Sequence, residues 1–230
     1  MALTEERAHY LKSVLRLRRG AELVVFNGTG GEFQACVEVI SRAATRVKIG
    51  AFHPLCRESP LAIHLGLGIS RGERMDLAIQ KAVELGVTGI TPLTTERSVV
   101  RLNSERRLTR WEHWQKVAQS ACEQCHRNIV PALAEPRSLD EWLGECRGGL
   151  KLLLDPLGER SFKDLTLPSG GVCLLSGPEG GFSEDERARA RAAGFLAIRL
   201  GPRVLRTETA ALAALTAIQV LWGDLGAPVE

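Results

Sequence analysis

The feature that most constrains this chain is a change of pattern at Leu61. From there onward, short apolar runs alternate with stretches of helical periodicity. The last two strand-to-helix junctions also carry glycine. One is Leu174-Leu175-Ser176-Gly177-Pro178-Glu179-Gly180-Gly181-Phe182, and the other is Leu200-Gly201-Pro202-Arg203-Val204-Leu205-Arg206-Thr207. Such alternation predicts a mostly parallel sheet with helices on both faces. Ligands of open α/β sheets bind beyond the carboxyl ends of strands, where both junctions fall. Glycine allows close backbone approach and positive φ. Together the two loops predict a backbone-walled pocket for a small molecule.

The pattern places strands at Leu61–Ile69, Gly89–Leu93, Leu150–Leu154, Val172–Leu175 and Leu196–Leu200. Met75, Ala78, Ile79, Ala82 and Val83 share one helical face, which Gly86 ends. Trp111, Trp114, Ala118, Ala121 and Cys125 mark a longer helix reaching about Asn128. Ser138–Glu141 and Ser183–Glu186 read as capping boxes. Thr207–Leu221 is apolar nearly all round, so it is expected to be buried or to form an interface. The first 60 residues differ. They contain a short helix over Glu6–Arg16, an apolar run Leu23–Phe26, a hairpin signal at Asn27-Gly28 and an alternating strand over Phe33–Val39. This predicts a small barrel or meander, with Pro54–Pro60 as linker.

Charge is unevenly placed. Residues 1–60 carry nine basic against six acidic side chains, residues 61–127 carry ten against seven, and residues 128–230 carry eleven against fourteen. A basic front fits contact with a polyanion. No run of about 18 uncharged apolar residues is present, so no spanning helix and no membrane partner are expected. The N-terminus lacks the layout of a signal peptide, and a soluble cytoplasmic protein is expected. Cys122-Glu123-Gln124-Cys125-His126 matches a haem-attachment pattern, but that chemistry needs export. The six dispersed cysteines read as reduced structural thiols, and no metal site is expected.

Two alternatives remain open in the sequence. Gly66-Leu67-Gly68-Ile69-Ser70-Arg71-Gly72 resembles a dinucleotide fingerprint, with its last glycine one residue too far along and Glu96 too distant to serve the ribose. It keeps open a nucleotide-dependent oxidoreductase. A non-catalytic RNA-binding module is the other alternative. His64 sits in a strand, where a satisfied structural role is expected. Ser176 is not in a nucleophile elbow.

Several segments together resemble one family. They are Leu200–Ala210, Gly177–Gly181, Ser70–Asp76, Gln80-Lys81 with Glu84–Val87, Glu96-Arg97, and Ala121–Cys125 with Arg127-Asn128. Over about His9 to Leu225 the chain resembles the RsmE-type methyltransferases, which methylate N3 of a uridine in 16S ribosomal RNA of the small subunit. The resemblance implies a PUA-like RNA-binding β-barrel over residues 1–58 and a SPOUT trefoil-knotted parallel-sheet domain over 59–230. It implies S-adenosyl-L-methionine as cofactor and a homodimer, with the Thr207–Leu221 helix as the candidate dimer face. Knots are rare exceptions to chain-threading rules, so periodicity alone does not suggest one.

Carried over by motif, the cofactor residues are Leu154, Leu175, Gly177, Glu179, Gly180, Gly181, Leu200, Gly201, Leu205, Arg206, Thr207, Thr209 and Ala210. Uracil N3 bears a proton at neutral pH, so transfer to it needs a proton acceptor or a cation that stabilises the uracilate. Arg127 or Arg206 would hold the anionic oxygen. Glu123 or Glu208 would take the proton, and no sequence feature chooses among them. Arg16, Arg18, Arg71, Arg74, Arg97 and Arg101 are expected to contact RNA. Members of the family often carry a basic segment ahead of their first helix. This chain starts almost directly at Thr4-Glu5-Glu6, so Arg16, Arg18 and Arg19 are left to supply that contact.

Overall fold

The computed structural model describes residues 1–41, 44–98, 104–146, 149–167 and 169–226. The chain divides into two compact units. Met1–Arg57 and His126–Val130 form the first, and Glu58–Cys125 with Pro131–Glu230 form the second.

The first unit begins with α1 (Glu5–His9), whose Thr4 Oγ1 accepts the Arg7 amide. A π-helical turn over Tyr10–Val14 follows, replacing the single helix expected over Glu6–Arg16. Three strands, β1 (Glu22–Val25), β2 (Glu32–Ile40) and β3 (Thr45–His53), form an antiparallel meander in that order. Its small core is Leu11, Val37 and Val47, with Leu3, Leu17, Ala21, Leu23 and Ile40 packed against it. At the β1–β2 turn, Asn27 Oδ1 accepts both the Thr29 amide and the Thr29 hydroxyl, at 3.1 and 2.8 Å. This is a local Asx turn of the kind that Asn favours.

The segment that joins this unit from far along the chain lies on the same turn. Gly30 N donates to Asn128 O at 3.1 Å, Val130 N donates to Gly28 O at 3.3 Å, and Thr29 bridges Ile129. Asn128 Nδ2 also donates to Leu55 O at 2.8 Å. The helix expected to reach Asn128 therefore stops at Cys125, where His126 turns the chain with φ 63°. Periodicity did not reveal this stop, because nothing in residues 126–128 breaks a helix by composition.

Among the described residues the second unit holds seven strands, all paired in parallel: β4 (Ile63–Gly68), β5 (Gly89–Thr94), β6 (Ala132–Leu133), β7 (Arg137–Ser138), β8 (Leu150–Leu154), β9 (Val172–Ser176) and β10 (Leu196–Ile198). The order is β10-β8-β9-β4-β5-β6, with β7 also beside β5. Helices α2 (Glu73–Glu84), α3 (Ser104–Cys125) and α6 (Thr207–Trp222) pack together, with α6 against β9. Helices α4 (Leu139–Glu145) and α5 (Glu184–Ala192) pack together over a second cluster built on Trp142, Leu153, Leu175, Phe182 and Phe195. Both expected capping boxes are present, Ser138 with Glu141 and Ser183 with Glu186.

Two strand residues show how packing overrides local rules. Pro92 lies within β5, where a residue without an N–H is normally excluded. Leu93 O accepts from Ile69 on the β4 side, so Pro92, one residue earlier, faces the outer side of β5. There β6 has ended at Leu133 and β7 begins only at Arg137, so no ladder bond is lost. His64 Nε2 lies 2.9 Å from Thr91 Oγ1, and its ring meets Trp142 edge-on. Burial pushes its pKa below the ordinary imidazole value. It is a satisfied structural histidine, as expected.

Candidate active site

Three adjacent parallel strands, β10-β8-β9, end side by side, with Leu154 paired to Ile198 and Leu153 to Leu175. The chain beyond each carboxyl end walls a cavity of about 510 Å³, within the range of small-molecule sites. Leu154–Leu157 form one wall, Ser176–Phe182 a second, and Ile198–Leu200 with Arg203–Thr207 and Ala210 a third. Arg74, Arg97 and Arg187 complete the lining.

The structure brings most of the expected cofactor residues together here: Leu154, Gly177, Glu179, Gly180, Gly181, Leu200, Leu205, Arg206, Thr207 and Ala210. Leu175, Gly201 and Thr209 lie outside the lining, each for a geometric reason. Leu175 points into the Trp142 cluster, and strand alternation gives the cavity Ser176 instead. Thr209 is exposed on α6, where Thr207 and Ala210, three residues apart, share the inward face. Gly201 shapes an exposed turn at φ 73°.

Two of the glycines of the Gly66–Gly72 pattern, Gly66 and Gly68, are used by the protein's own packing, which speaks against the dinucleotide reading. A Cβ at Gly66 would sit 2.6 Å from the Trp142 ring. A Cβ at Gly68 would sit 2.7 Å from the Gly177 carbonyl carbon and closer still to Pro178 N. Gly68 therefore lets the 177–182 loop settle on the end of β4. Glu96, the other part of that reading, pairs with Arg189 at 3.2 Å, and its amide donates to Glu186 at 2.8 Å. Gly180 carries the same logic on the far side of the loop. Its missing side chain makes room for Arg97, whose Cβ and carbonyl oxygen would both stand 2.9 Å from a Cβ there.

The lining is rich in charge. Glu179 Oε1 accepts the Arg71 amide at 3.0 Å and faces Arg74 at 3.5 Å. Burial raises the pKa of this carboxyl. Hydrogen bonds from the Arg71 and Glu179 amides and Ser70, together with the Arg74 charge, outweigh burial and hold it below the ordinary range. Its Oε2 is buried with no hydrogen-bond partner. Asp155 is paired with Arg187, and Arg97, Arg199, Arg203 and Arg206 add positive charge. At the third wall, α6 begins with Arg206 as N-cap and no side-chain cap. The first turn of a helix leaves backbone N–H groups without helical partners, and its dipole favours anions.

Of the other expected residues, Arg71, Arg74 and Arg97 are exposed around the rim of the second unit, while Arg16 and Arg18 are exposed in the first. Arg101 lies outside the described residues. Glu123 is half-buried on α3, and Arg127 is buried within the 126–130 segment of the first unit. Neither lines the cavity. Glu208 is 8% exposed on α6. Asp155, Arg187 and Arg199 were missed. For Asp155 a signal existed: Asp-Pro directly after an apolar strand initiates a turn. Among the described residues, no group of three or more His, Cys, Asp or Glu gathers to hold a metal.

The pattern of the RNA methyltransferase domain matches residues 57–219, and that of the RNA methyltransferase PUA domain matches residues 3–49. This chain belongs to the RNA methyltransferase family. It is 40% identical over 228 residues to ribosomal RNA small subunit methyltransferase E of Buchnera aphidicola, covering 96% of this chain and 88% of that one. Against the Bacillus subtilis protein of the same name, identity is 31%, with 97% and 92% covered. Among solved structures, a putative methyltransferase of Legionella pneumophila with bound S-adenosylmethionine superposes with a TM-score of 0.95 at 43% identity, covering 98% and 93%. The ribosomal RNA small subunit methyltransferase E of Neisseria gonorrhoeae, also bound to S-adenosylmethionine, gives 0.91 at 39%, with the same coverage. As a family member, the chain joins a PUA-like front region to a parallel-sheet methyltransferase unit.

Proposed function

We propose that this protein transfers a methyl group from S-adenosylmethionine to N3 of a uridine in small-subunit ribosomal RNA, with the cavity beyond β8, β9 and β10 as the donor site. The observation that carries the reading is the match between that cavity and the donor's chemistry. Bound there, S-adenosylmethionine supplies a methyl group already activated by a sulfonium. Glu179, ionised and with one buried oxygen lacking a hydrogen bond, suits a cationic group. The uncapped start of α6 suits a carboxylate. The glycine loops present backbone close to the ligand.

The chain's own work is then positioning and electrostatics. Glu179, held by Arg71 and Arg74, fixes the 177–182 loop. Arg206 stabilises the negative charge that grows on uracil O2 or O4 as the N3 proton passes to solvent water. Arg74 and Arg97 contact the RNA backbone at the rim. With Arg16 and Arg18 of the front unit, they make binding salt-dependent. Glu123 and Arg127, expected to take the proton and hold the anionic oxygen, lie outside this cavity and carry no step of the transfer in this reading.

A homodimer belongs to the same reading. Val220 and Leu221 on α6 are each 51% exposed, an apolar edge that fits a second copy. So does a trefoil knot: β10 follows β9 in the chain yet pairs with β8. The reading sets the protein in the cytoplasm with its RNA substrate.

The test is incubation with S-adenosylmethionine and undermethylated small ribosomal subunits, followed by mass-spectrometric mapping. One new methyl on N3 of a uridine is expected. A methyl on a ribose or on another base would overturn the assignment of N3.

A further inference from the structure

We infer that Asp155 is a positioning residue that locks the three cavity walls to one another, acting through Arg187, and thereby sets the affinity for the methyl donor. The inference rests on the reading of the cavity given above.

Asp155 stands at the carboxyl end of β8, and its side chain is 1% exposed. Its amide donates to Ile198 O at 3.0 Å, joining the first wall to the third. Its Oδ1 accepts the Leu157 amide at 2.9 Å, and its carbonyl accepts the Gly158 amide at 2.9 Å, closing the turn of the first wall. Its Oδ2 faces Arg187 Nε at 3.8 Å and Arg191 at 3.5 Å. Arg187 NH1 in turn donates to Phe182 O at 3.1 Å, at the end of the second wall. One residue therefore reaches all three walls: the third through its backbone amide, the first through Oδ1, and the second through Oδ2 and Arg187.

The turn it closes has no slack. A Cβ at Gly158 would stand 3.0 Å from the backbone of Ala197 and Ile198, so the first wall is pressed against β10. A shift at Asp155 is passed on to its neighbours rather than absorbed.

The energetics favour a positioning role. A buried ion pair stabilises well only when its geometry is close and its atoms are hydrogen-bonded. Here Oδ2 lies 3.5–3.8 Å from its partners and accepts no hydrogen bond. What the arrangement does achieve is orientation. The charge holds the guanidinium, and the guanidinium holds the Phe182 carbonyl.

Asp155→Asn keeps the side-chain shape and the Oδ1 acceptor but removes the charge facing Arg187. Titration calorimetry with S-adenosylmethionine is expected to show affinity lowered at least tenfold. kcat at saturating donor should stay within about threefold of the unaltered protein, and KM for RNA should be unchanged. Arg187→Gln should behave alike, and the double variant should be no worse than either single one, because both break one tie. Arg187 is 22% exposed at its side chain, so it provides the test if Asp155→Asn does not fold. Variants that bind the donor as the unaltered protein does, or losses that multiply in the double variant, would overturn the inference while leaving the cavity's assignment standing. An unaltered protein that takes up no S-adenosylmethionine would overturn both.

Discussion

Valine in place of Gly68 is expected to abolish measurable binding of S-adenosylmethionine, a loss of at least 100-fold, and to lower stability by about 3 kcal/mol. The new Cβ would overlap Gly177 and Pro178, and those neighbours are backbone and a proline ring, which cannot rotate away. Either the 177–182 loop lifts off the end of β4 or the strand is displaced, and both change the second wall. Calorimetry with the donor and a thermal melt read the two effects separately. Gly66→Val is the natural comparison. There the obstructing group is the Trp142 ring on the helix-covered face. That variant should lose stability with a smaller loss of donor affinity. Donor binding unchanged in Gly68→Val would mean that the loop does not form the site.

Alanine in place of Arg206 should lower methyl transfer about 10²–10³-fold, the usual cost of removing one preorganised donor from a developing oxyanion. The fold should be retained. Arg206 is exposed, and as N-cap of α6 it uses backbone geometry, φ −64° and ψ 154°, rather than a side-chain hydrogen bond. A melting temperature within about 2 °C of the unaltered protein is therefore expected. Arg206→Lys should recover little, because a point charge does not replace the planar fork. Single-turnover transfer to small subunits is the measurement. Normal turnover in Arg206→Ala would remove Arg206 from the chemistry.

Much of the second unit was legible because its local signals agree with the final packing. Ser138 and Ser183 cap helices where their spacing to Glu141 and Glu186 predicts. The short apolar runs become strands because helices cover both faces of the sheet. Errors arose where an element's end depends on distant partners. β10 stops at Ile198 rather than Leu200, since its partner β8 ends at Leu154. α3 stops at Cys125, since the next five residues lie on the Asn27–Gly31 turn of the other unit.

The site divides in the same way. Loops whose glycines are explicit in sequence were found, and the side each residue faces was not. Ser176 lines the cavity and Leu175 does not, a difference of one position in a period of two. The Gly66–Gly72 run kept an alternative open because a glycine records only that something approaches closely. Here the approaching groups are Trp142 and Pro178. Arg187 carries no signal at all. It reaches Phe182 and Asp155 from the second turn of α5, and nothing in an alternation of Arg and Ala indicates which arginine turns inward.

The central claim is that the ends of β8, β9 and β10 hold the methyl donor. Diffraction from crystals grown with S-adenosylmethionine tests it most directly. The account predicts density for the donor between Leu154, Gly177 and Leu205, with Asp155 still joined to Arg187. Donor density at any other place on the chain, with this cavity filled only by solvent, would contradict it.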